Sequence, residues 1–500
     1  MSYVPLAYAP DQDTAWDTMP GGCQLMRNLI PTRRRTYATW ACQNTIAEYT
    51  SSTEPQIGYI MRQAAGTARF FLCNKQSIYE FTSTSAATDR SSGAYSASTE
   101  TWTMAQFGDA TIATNLLNNV QVSSSGAFAD LSGTPPKAQL VVVARGQAML
   151  LNYNDGTAYP DGWATSDLED ITDWTVTATN FADRGRLYDT PGPIRAAVVL
   201  RDTVVAFKDD SIYVGEFVGD PTSTIWAWTL VSDKVGCSSP HGVCVFNDKL
   251  YFVHRSGFYV FDGAQARNFG TEVTNAIFTR ASALGGGINF TRIQTTVDHA
   301  DGVIFFAFAD SNRKLAATFP YNAETNTWGG SIEDNALTIE GVAEYATCVV
   351  RCTQSDIIAF DSTASTSNPR TVVYAGVGNT GKIGGYSGAF PALGSWATSP
   401  TFTTGPIGGG MISRVTELEL AFRSLTTTTG SPTVAVVGTK SRAAAYDSAP
   451  TVAGAWNSTE YKYNISGAGT SSKFMVAKFT FLDSTEISGM FHPLRPAGKS

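Results

Sequence analysis

The chain of 500 residues carries a formal net charge of -8 at pH 7, and charged side chains make up 16% of it. Ordinary soluble proteins contain about 25% charged residues, and here Ser, Thr, Ala and Gly fill the difference. This composition favours many strands and turns, with surface buried in an assembly. The negative charge argues against a general nucleic-acid-binding surface.

Seven cysteines are scattered along the chain without a regular framework. They are Cys23, Cys42, Cys73, Cys237, Cys244, Cys348 and Cys352. This pattern predicts free thiols from a reducing compartment. Residues 1–10 have neither a charged n-region nor an apolar h-region, so we expect no signal peptide. No run approaches the ~18 apolar residues of a membrane span, and we expect a soluble protein made in a cytoplasm.

Residues 1–40 are predicted to be an irregular N-terminal segment, because prolines recur there as turn or extended signals. These prolines are Pro5, Pro10, Pro20 and Pro31. The run Arg33-Arg34-Arg35 could bind phosphate. Short basic runs more often mark a solvated turn, or a contact with acidic groups on a neighbour.

One pattern occurs twice within residues 196–263. Each copy has three short strands, rich in β-branched and aromatic residues, joined by tight polar turns. Arg201 aligns with Asn247, and Ser211 with Gly257, both at a separation of 46 residues. The strands lie at 197–200, 203–208 and 212–214, then at 243–246, 249–254 and 258–261. A period of ~40–50 residues built from antiparallel strands is typical of a β-propeller blade.

The same sequence of hairpin turn and apolar strand recurs outside these two copies. The turns are Gly108-Asp109, Arg145-Gly146, Arg201-Asp202, Asn247-Asp248 and Asp301-Gly302. A weaker candidate has strands at 347–350 and 357–360. We therefore predict an all-β protein in which residues 41–362 form a β-propeller of six or seven blades.

Tryptophans lie in the connections between the predicted blades. They are Trp102, Trp163, Trp174, Trp226, Trp228 and Trp328. A row of exposed aromatics would suit sugar binding. Packing between adjacent sheets is the preferred interpretation, because a buried Trp contributes a large apolar area.

After the predicted propeller the amino-acid composition changes. Residues 363–410 are predicted to be a linker rich in Gly, Ser and Pro. Residues 411–500 are predicted to be a second antiparallel β domain, resembling a sandwich, because 415–422, 434–437 and 474–481 read as half-buried strands. Short helical pieces alone are expected, for example near 273–282.

The best metal-ligand candidates fall within eighteen positions, but their spacing fits no familiar zinc finger. They are Cys237, His241, Cys244 and His254. Cys244 also lies inside an alternating strand, where Cys often acts as a small hydrophobe. We predict no metal site and no cofactor.

Four carboxylates cluster before Trp174. They are Asp167, Glu169, Asp170 and Asp173. A propeller glycosidase brings carboxylates from separate blades to the central channel, whereas these four share one loop. A solvated acidic loop is the preferred interpretation. With no phosphate loop, nucleophile elbow or sialidase Asp-box in the sequence, we predict no catalytic residues.

Several stretches between about residues 20 and 280 together form a recognisable pattern of turns and strand residues. They are 28–32 (NLIPT), 102–109 (WTMAQFGD), 112–115 (IATN), 128–136 (FADLSGTPP), 173–174 (DW), 211–213 (SIY), 231–237 (VSDKVGC) and 257–263 (GFYVFDG). Together they resemble the β-propeller tail nozzle, or packaged-DNA stabilisation, proteins of short-tailed bacteriophages. The resemblance has no counterpart for the predicted C-terminal domain.

The resemblance implies a non-enzymatic virion protein. Such proteins form a ring, usually of six copies, below the portal and its adaptor proteins and near tail fibre or needle proteins. They extend the DNA channel, retain the packaged genome and conduct it during ejection, without sequence-specific contact. A negative charge suits such a channel, because cationic contacts would hold the DNA back.

The alternative is a monomeric propeller that binds or cleaves a glycan with loops at the mouth of its channel. That protein would bring carboxylates from separate blades together and would have the mass of a single copy. The sequence leaves the blade number, the copy number, the contacted adaptor or fibre, and the host open. It also leaves open whether the C-terminal domain has a receptor or an assembly role.

Overall fold

The computed structural model describes most of the chain up to residue 351 and separate segments after it. The described residues are 3–39, 44–50, 55–83, 86–310, 315–332, 336–339, 342–345, 347–351, 370–377, 380–387, 401–407, 413–414, 417–425, 433–447, 450, 452–457, 462–464, 471–481, 485–491 and 495–496.

The chain begins with five short strands and one longer strand. They are β1 (Tyr3–Pro5), β2 (Ala7–Tyr8), β3 (Gly22–Arg27), β4 (Leu29–Pro31), β5 (Tyr37–Thr39) and β6 (Asn44–Thr50). The prediction of an irregular segment over residues 1–40 is therefore wrong. Its prolines do not prevent pairing, because Pro5 and Pro31 lie in β1 and β4, which are edge strands and therefore tolerate Pro.

Six consecutive four-stranded antiparallel sheets follow. Blade 1 is β7 (Ile57–Arg62), β8 (Ala68–Cys73), β9 (Ile78–Ser83) and β10 (Ala86–Asp89). Blade 2 is β11 (Thr103–Phe107), β12 (Ala110–Thr114), β13 (Gln121–Ser123) and β14 (Ala129–Asp130). Blade 3 is β15 (Lys137–Ala144), β16 (Gln147–Asn154), β17 (Ala158–Thr165) and β18 (Asp183–Arg186).

The next three blades include the repeated pattern. Blade 4 is β19 (Ala196–Leu200), β20 (Thr203–Phe207), β21 (Ile212–Asp220) and β22 (Thr224–Ser232). Blade 5 is β23 (Val243–Phe246), β24 (Lys249–His254), β25 (Gly257–Phe261) and β26 (Ala266–Phe269). Blade 6 is β27 (Gln294–Asp298), β28 (Val303–Ala309), β29 (Leu315–Asn322) and β30 (Thr327–Trp328). The predicted three-strand repeat is confirmed, and each copy gains a fourth, outer strand.

Blade 7 combines strands from distant parts of the chain. A two-stranded hairpin, β31 (Ala336–Ile339) and β32 (Val342–Tyr345), precedes it. The blade consists of β33 (Cys348–Arg351), β34 (Arg370–Val377), β35 (Thr380–Ser387) and the early strand β6, which pairs antiparallel with β35. In the described part of the chain the propeller thus has seven four-stranded sheets. The candidate strand at 357–360 lies outside the described residues, and 370–377 takes its place beside β33.

The inner strands of the seven blades contact one another in sequence, and β33 of blade 7 also contacts β7 of blade 1. The ring of sheets is therefore closed. Separate sheets packed around an axis define a β-propeller, so the predicted fold class is confirmed. Part of the predicted linker is blade instead, because β34 and β35 reach residue 387. Linker residues 363–369 and 388–400 lie outside the described residues.

A second sheet collects strands from both ends of the chain. Its C-terminal strands are β36 (Thr401–Thr404), β38 (Glu417–Leu425), β39 (Thr433–Thr439), β40 (Val452–Asn457), β41 (Lys462–Asn464), β43 (Phe474–Thr480) and β44 (Thr485–Phe491). The strand order is β2-β3-β36-β43-β39-β40-β41-β38-β44-β5-β4, with β1 also pairing β44. A small three-stranded sheet lies beside it, formed by β37 (Ser413–Arg414), β42 (Ser471–Ser472) and β45 (Arg495–Pro496).

Helices are few in the described residues. They are α1 (Thr274–Gly285), α2 (Arg442–Asp447) and a 3-10 turn (Phe290–Arg292). The expected helix near 273–282 is confirmed by α1. No helix among the described residues has the length and apolar character of a membrane span.

The propeller and the second sheet share one hydrophobic core. Phe258 of blade 5 and Trp328 of blade 6 belong to the same buried cluster as Met26, Phe402 and Phe479 of the second sheet. The Phe258 and Trp328 ring centroids lie 4.6 Å apart. The two domains therefore pack directly against each other through this shared core.

The N-terminal segment also connects the domains through hydrogen bonds. The N-cap residue of α1 is Val273, whose side chain forms no capping hydrogen bond. The Asp11 carboxylate instead accepts hydrogen bonds from the backbone N–H groups of Asn275 at 2.6 Å and Ala276 at 2.9 Å. Since first-turn N–H groups lack partners within the helix, this contact anchors the start of the chain to the propeller.

Candidate functional site: the axial channel

The inner strands of all seven blades enclose a cavity of about 740 Å³ on the propeller axis. Its wall takes one stretch from each inner strand: 57–62, 103–106, 140–143, 197–199, 240–243, 294–296 and 349–350. Val, Ile, Ala and Met dominate these stretches. Inner strands face neighbouring sheets as well as the axis, so near-continuous apolar runs are expected in them.

The two ends of the channel are built differently. At one end, which we call the strand-start face, the inner strands begin, and Gln56, Thr101, His241 and Gln294 come together. At the other end, which we call the turn face, lie the first hairpin turns of the blades, for example Arg145-Gly146. Each face gathers residues from several blades.

On the strand-start face, side chains bind the backbone of the next blade. Thr103 Oγ1 donates to the Gln139 carbonyl at 2.9 Å and accepts from the Val141 N–H at 3.2 Å. The Gln294 amide does the same in blade 6, donating to the Thr347 carbonyl and accepting from the Val349 N–H, both at 3.0 Å. These side-chain hydrogen bonds join adjacent blades, which are separate sheets and share no ladder of backbone hydrogen bonds.

His241 lies inside the channel at the strand-start face. Its Nε2 is 3.0 Å from Thr101 Oγ1, and its Nδ1 is 3.3 Å from the hydroxyl of Tyr59. That hydroxyl donates to the Trp102 carbonyl at 3.1 Å, so it can only accept from the imidazole. A neutral His241 therefore carries its proton on Nδ1. Burial and then the charge of Arg292 lower the pKa of His241 to about 3.

On the turn face, successive blades are joined by contacts between their turns. Arg145 pairs with Asp202 at 3.1 Å, and the Arg201 guanidinium donates to the Asp248 carbonyl at 3.3 Å. The residues are exposed, with side-chain exposures of 48% for Arg145 and 70% for Asp202. Exposed pairs of this kind contribute little to stability, so the turn face is held mainly by the packing beneath it.

The four candidate metal ligands do not converge. His241 faces the channel, while His254 Nε2 lies 3.0 Å from Asp210 and its Nδ1 2.6 Å from Ser256 Oγ. The Cys237 thiol contacts the Ser239 carbonyl at 3.4 Å, and burial raises the pKa of Cys244 to about 12. Among the described residues no three His, Cys, Asp or Glu side chains form a metal-binding group.

The described cysteines carry free thiols. Those described are Cys23, Cys73, Cys237, Cys244 and Cys348. The remaining two, Cys42 and Cys352, lie outside the described residues. The five described cysteines are free, which agrees with the free thiols predicted from the scattered spacing.

Three of the four acidic residues before Trp174 accept hydrogen bonds within their own loop. Asp167 accepts from the Phe181 N–H at 2.7 Å, Asp170 from Thr172 Oγ1 at 2.6 Å, and Asp173 from the Thr175 N–H at 2.9 Å. Glu169 lies beside the Arg145-Gly146 turn, where its N–H donates to the Gly146 carbonyl at 2.7 Å. The four carboxylates stay in one loop at the turn face, as the solvated-loop interpretation expects.

The arginine run contacts acidic groups of its own chain. Arg33 pairs with Glu324 at 2.9 Å, and Arg34 lies 3.9 Å from Glu486. The expected contact with acidic groups occurs within the chain, since Glu324 belongs to blade 6 and Glu486 to β44. The run thus joins the β4–β5 turn to both domains.

The tryptophans pack in the core as predicted. Trp102 is 0% exposed, and Trp328 is 1% exposed. Trp163, Trp174 and Trp226 are also buried, and Trp228 is half-buried against blade 3. Packing between sheets, rather than an exposed row for sugar binding, is confirmed for these residues.

The sequence did not single out Gln56, Thr103 or Gln294 for the strand-start face, and it named His241 only as a metal-ligand candidate. Gln56, Thr103 and Gln294 stand just before or at the start of apolar inner strands, and His241 precedes β23. A polar residue at that point of several blades is the signal that could have located them. Of the charged side chains, Arg62 alone lines the described channel wall.

Comparison with known proteins yields likeness of architecture alone. No family model and no curated protein matches the chain. Among solved structures, "YCF48 bound to D1 peptide" aligns with 10% identity and a TM-score of 0.40 over 69% of this chain and 97% of that one. YCF48 from Cyanidioschyzon merolae aligns with 7% identity and a TM-score of 0.38 over 69% and 98% of the two chains.

A third likeness is to the extracellular domain of the putative one-component system BT4673 from B. thetaiotaomicron. It has 9% identity and a TM-score of 0.43, over 80% of this chain and 48% of that one. The chain thus spans about half the length of that protein. These likenesses concern the overall architecture and say nothing about what the chain binds.

Proposed function

We propose that this chain is a structural subunit of a ring-shaped tail nozzle in the virion of a short-tailed bacteriophage. The chain is made in the host cytoplasm and is then built into the tail. Six copies form a ring below the portal and its adaptor proteins, close to tail fibre or needle proteins. The ring retains the packaged DNA and conducts it during ejection, without enzymatic chemistry or a cofactor.

The observation that carries this proposal is the way in which the two ends of the chain are joined. Strand β6 completes blade 7 by pairing with β35, and β1 and β5 pair with β44 in the second sheet. Separating the ends therefore requires breaking rows of backbone hydrogen bonds in both domains. A ring that holds DNA under pressure needs subunits that resist such opening.

The charge of the chain supports the same role. The formal net charge is -8, and like charges keep DNA phosphates from adhering to a passage. The axial channel of one subunit is a cavity of about 740 Å³ lined by both apolar and polar side chains, a volume too small for a DNA duplex. In this proposal the DNA passage therefore lies between the subunits of the ring, and the sequence resemblance over residues 20–280 supplies the location in the tail.

Electron microscopy of the native particle tests the proposal. We expect a ring of this chain at the base of the portal and its adaptor, with a lumen that is not lined mainly by Lys and Arg. The purified chain, mixed with its adaptor, should reach a mass many times 53.4 kDa. A single-copy mass together with glycan cleavage would reverse the assignment, and a lumen rich in Lys and Arg would refute the sliding argument.

A further inference from the structure

Gln56 is a buried amide at the strand-start face of the channel, directly before β7. Its side chain is 4% exposed. Neither its Nε2 nor its Oε1 has a hydrogen-bond partner among the described residues. Burying an amide without partners is costly, and buried polar groups in folded proteins nearly always have a partner in protein or in ordered water.

Blades 2 and 6 show what polar side chains do at this end of the channel. Thr103 and Gln294, at the starts of β11 and β27, each bind both a carbonyl and an N–H of the following blade. Gln56, directly before β7 in blade 1, makes no such contact with its side-chain amide. Its backbone is held in place by its N–H, which donates to the Cys73 carbonyl at 2.7 Å. A buried amide at this place needs a partner of another kind.

A small cavity adjoins the Gln56 amide. Its volume is about 10 Å³, close to the smallest space that holds one water molecule. Gln56 shares its wall with Thr101, Arg292 and Gln294, among other residues from blades 1, 2, 5, 6 and 7. The site is therefore polar as well as large enough, which are the two conditions for a buried water.

We propose that one ordered water molecule occupies this cavity and hydrogen-bonds the Gln56 amide. The Arg292 guanidinium and the Thr101 hydroxyl lie in the same wall and can complete its coordination. The positive charge of Arg292 disfavours a cation there, and the volume disfavours an ion larger than water. The water supplies the Gln56 amide with the partner that Thr103 and Gln294 find in the backbone of the following blade, and it completes the polar layer across the strand-start face.

Crystals of the full chain, at a resolution that shows ordered waters, test this inference. In the wild-type protein we expect one density peak in the cavity, within hydrogen-bond distance of Gln56. In Gln56→Leu the peak should be lost. The matched control is Gln106→Leu, in which a channel-wall glutamine that donates to the Gly108 carbonyl at 2.9 Å is replaced, and the peak should remain.

Three results would overturn the inference. The first is an empty cavity with the wild-type Gln56 amide bonded to another side chain. The second is a peak that survives Gln56→Leu unchanged, since the water would then have other anchors. The third is an anomalous signal at the site after a bromide soak, which would make the ligand a halide. If Gln56→Leu does not fold, the wild-type density and the bromide soak still decide between these outcomes.

Discussion

Replacing Glu80 by Gln tests the buried ion cluster that joins blade 1 to blade 2. Glu80 is 7% exposed and Arg69 is 5% exposed. The Glu80 carboxylate accepts from Arg69 Nε at 2.6 Å and Nη2 at 3.1 Å, and from Arg90 Nε at 2.6 Å. Arg69 also donates to Ser123 Oγ at 3.0 Å and to the Gly126 carbonyl at 3.1 Å in blade 2.

Glu80→Gln keeps the shape of the side chain but leaves the buried guanidinium of Arg69 without its counter-charge. Breaking a buried pair in this way costs about 3–5 kcal/mol. Gln retains one acceptor, and Arg90 is partly exposed. We therefore expect the free energy of unfolding to fall by about 3 kcal/mol, the lower end of that range. The matched control is Asp202→Asn, which breaks the exposed Arg145 pair and should cost about 1 kcal/mol or less.

The assay is urea unfolding followed by tryptophan fluorescence, with hydrogen exchange to locate the loss in blades 1 and 2. Burial alone would raise the pKa of Glu80, but hydrogen bonds and charges from Arg69 and Arg90 hold it below its ordinary value of 4.5. The stabilisation is therefore present above that value and is lost as the pH falls through the lower folded-state pKa. Glu80→Gln should remove this acid dependence. Equal losses in Glu80→Gln and Asp202→Asn would refute the reasoning.

Three further predictions concern the junction of the domains and the channel. Asp11→Ala removes the cap of α1 and should cost about 1–2 kcal/mol, seen as faster hydrogen exchange in α1; unchanged exchange would contradict the anchoring role. Gly21→Ala should destabilise the second sheet by more than Gly66→Ala in thermal unfolding. Both glycines have positive φ, but a Cβ at Gly21 would lie 1.9 Å from the Pro5 carbonyl oxygen, whereas one at Gly66 meets nothing within 4 Å. His241 should not titrate between about pH 5 and 8 by NMR. Because its folded pKa of about 3 lies below the unfolded value near 6.5, it reduces stability as the pH falls below about 6.5, and a titration at neutral pH would contradict its burial.

The repeated part of the fold was readable from the sequence because it is local. Blades 4 and 5 have short strands, hairpin turns of a few residues and a constant spacing, so pattern alone locates their first three strands. The outer strands vary in length and composition, from two residues in β30 to nine in β22, and they carry no shared signal. Blade number was left open for that reason.

The joining of the chain ends was not readable, because it depends on contacts between distant segments. The pairing of β6 with β35, or of β5 with β44, follows from which edges remain unpaired once the other strands are in place. No local pattern within residues 1–50 predicts those partners. The place of Gln56 and His241 in the channel was not predicted for a related reason, since both acquire their surroundings only when the ring closes.

The late partner of β6 has a consequence for biosynthesis. As the chain emerges, blades 1 to 6 can fold in turn, each from contiguous sequence, while β6 has no strand beside it until β35 has been made. Until then an unpaired edge stays open to pairing with other chains, and contacts between distant segments slow the final step. We therefore expect refolding to end in a slow phase in which the last blade forms, with the greatest tendency to aggregate just before it.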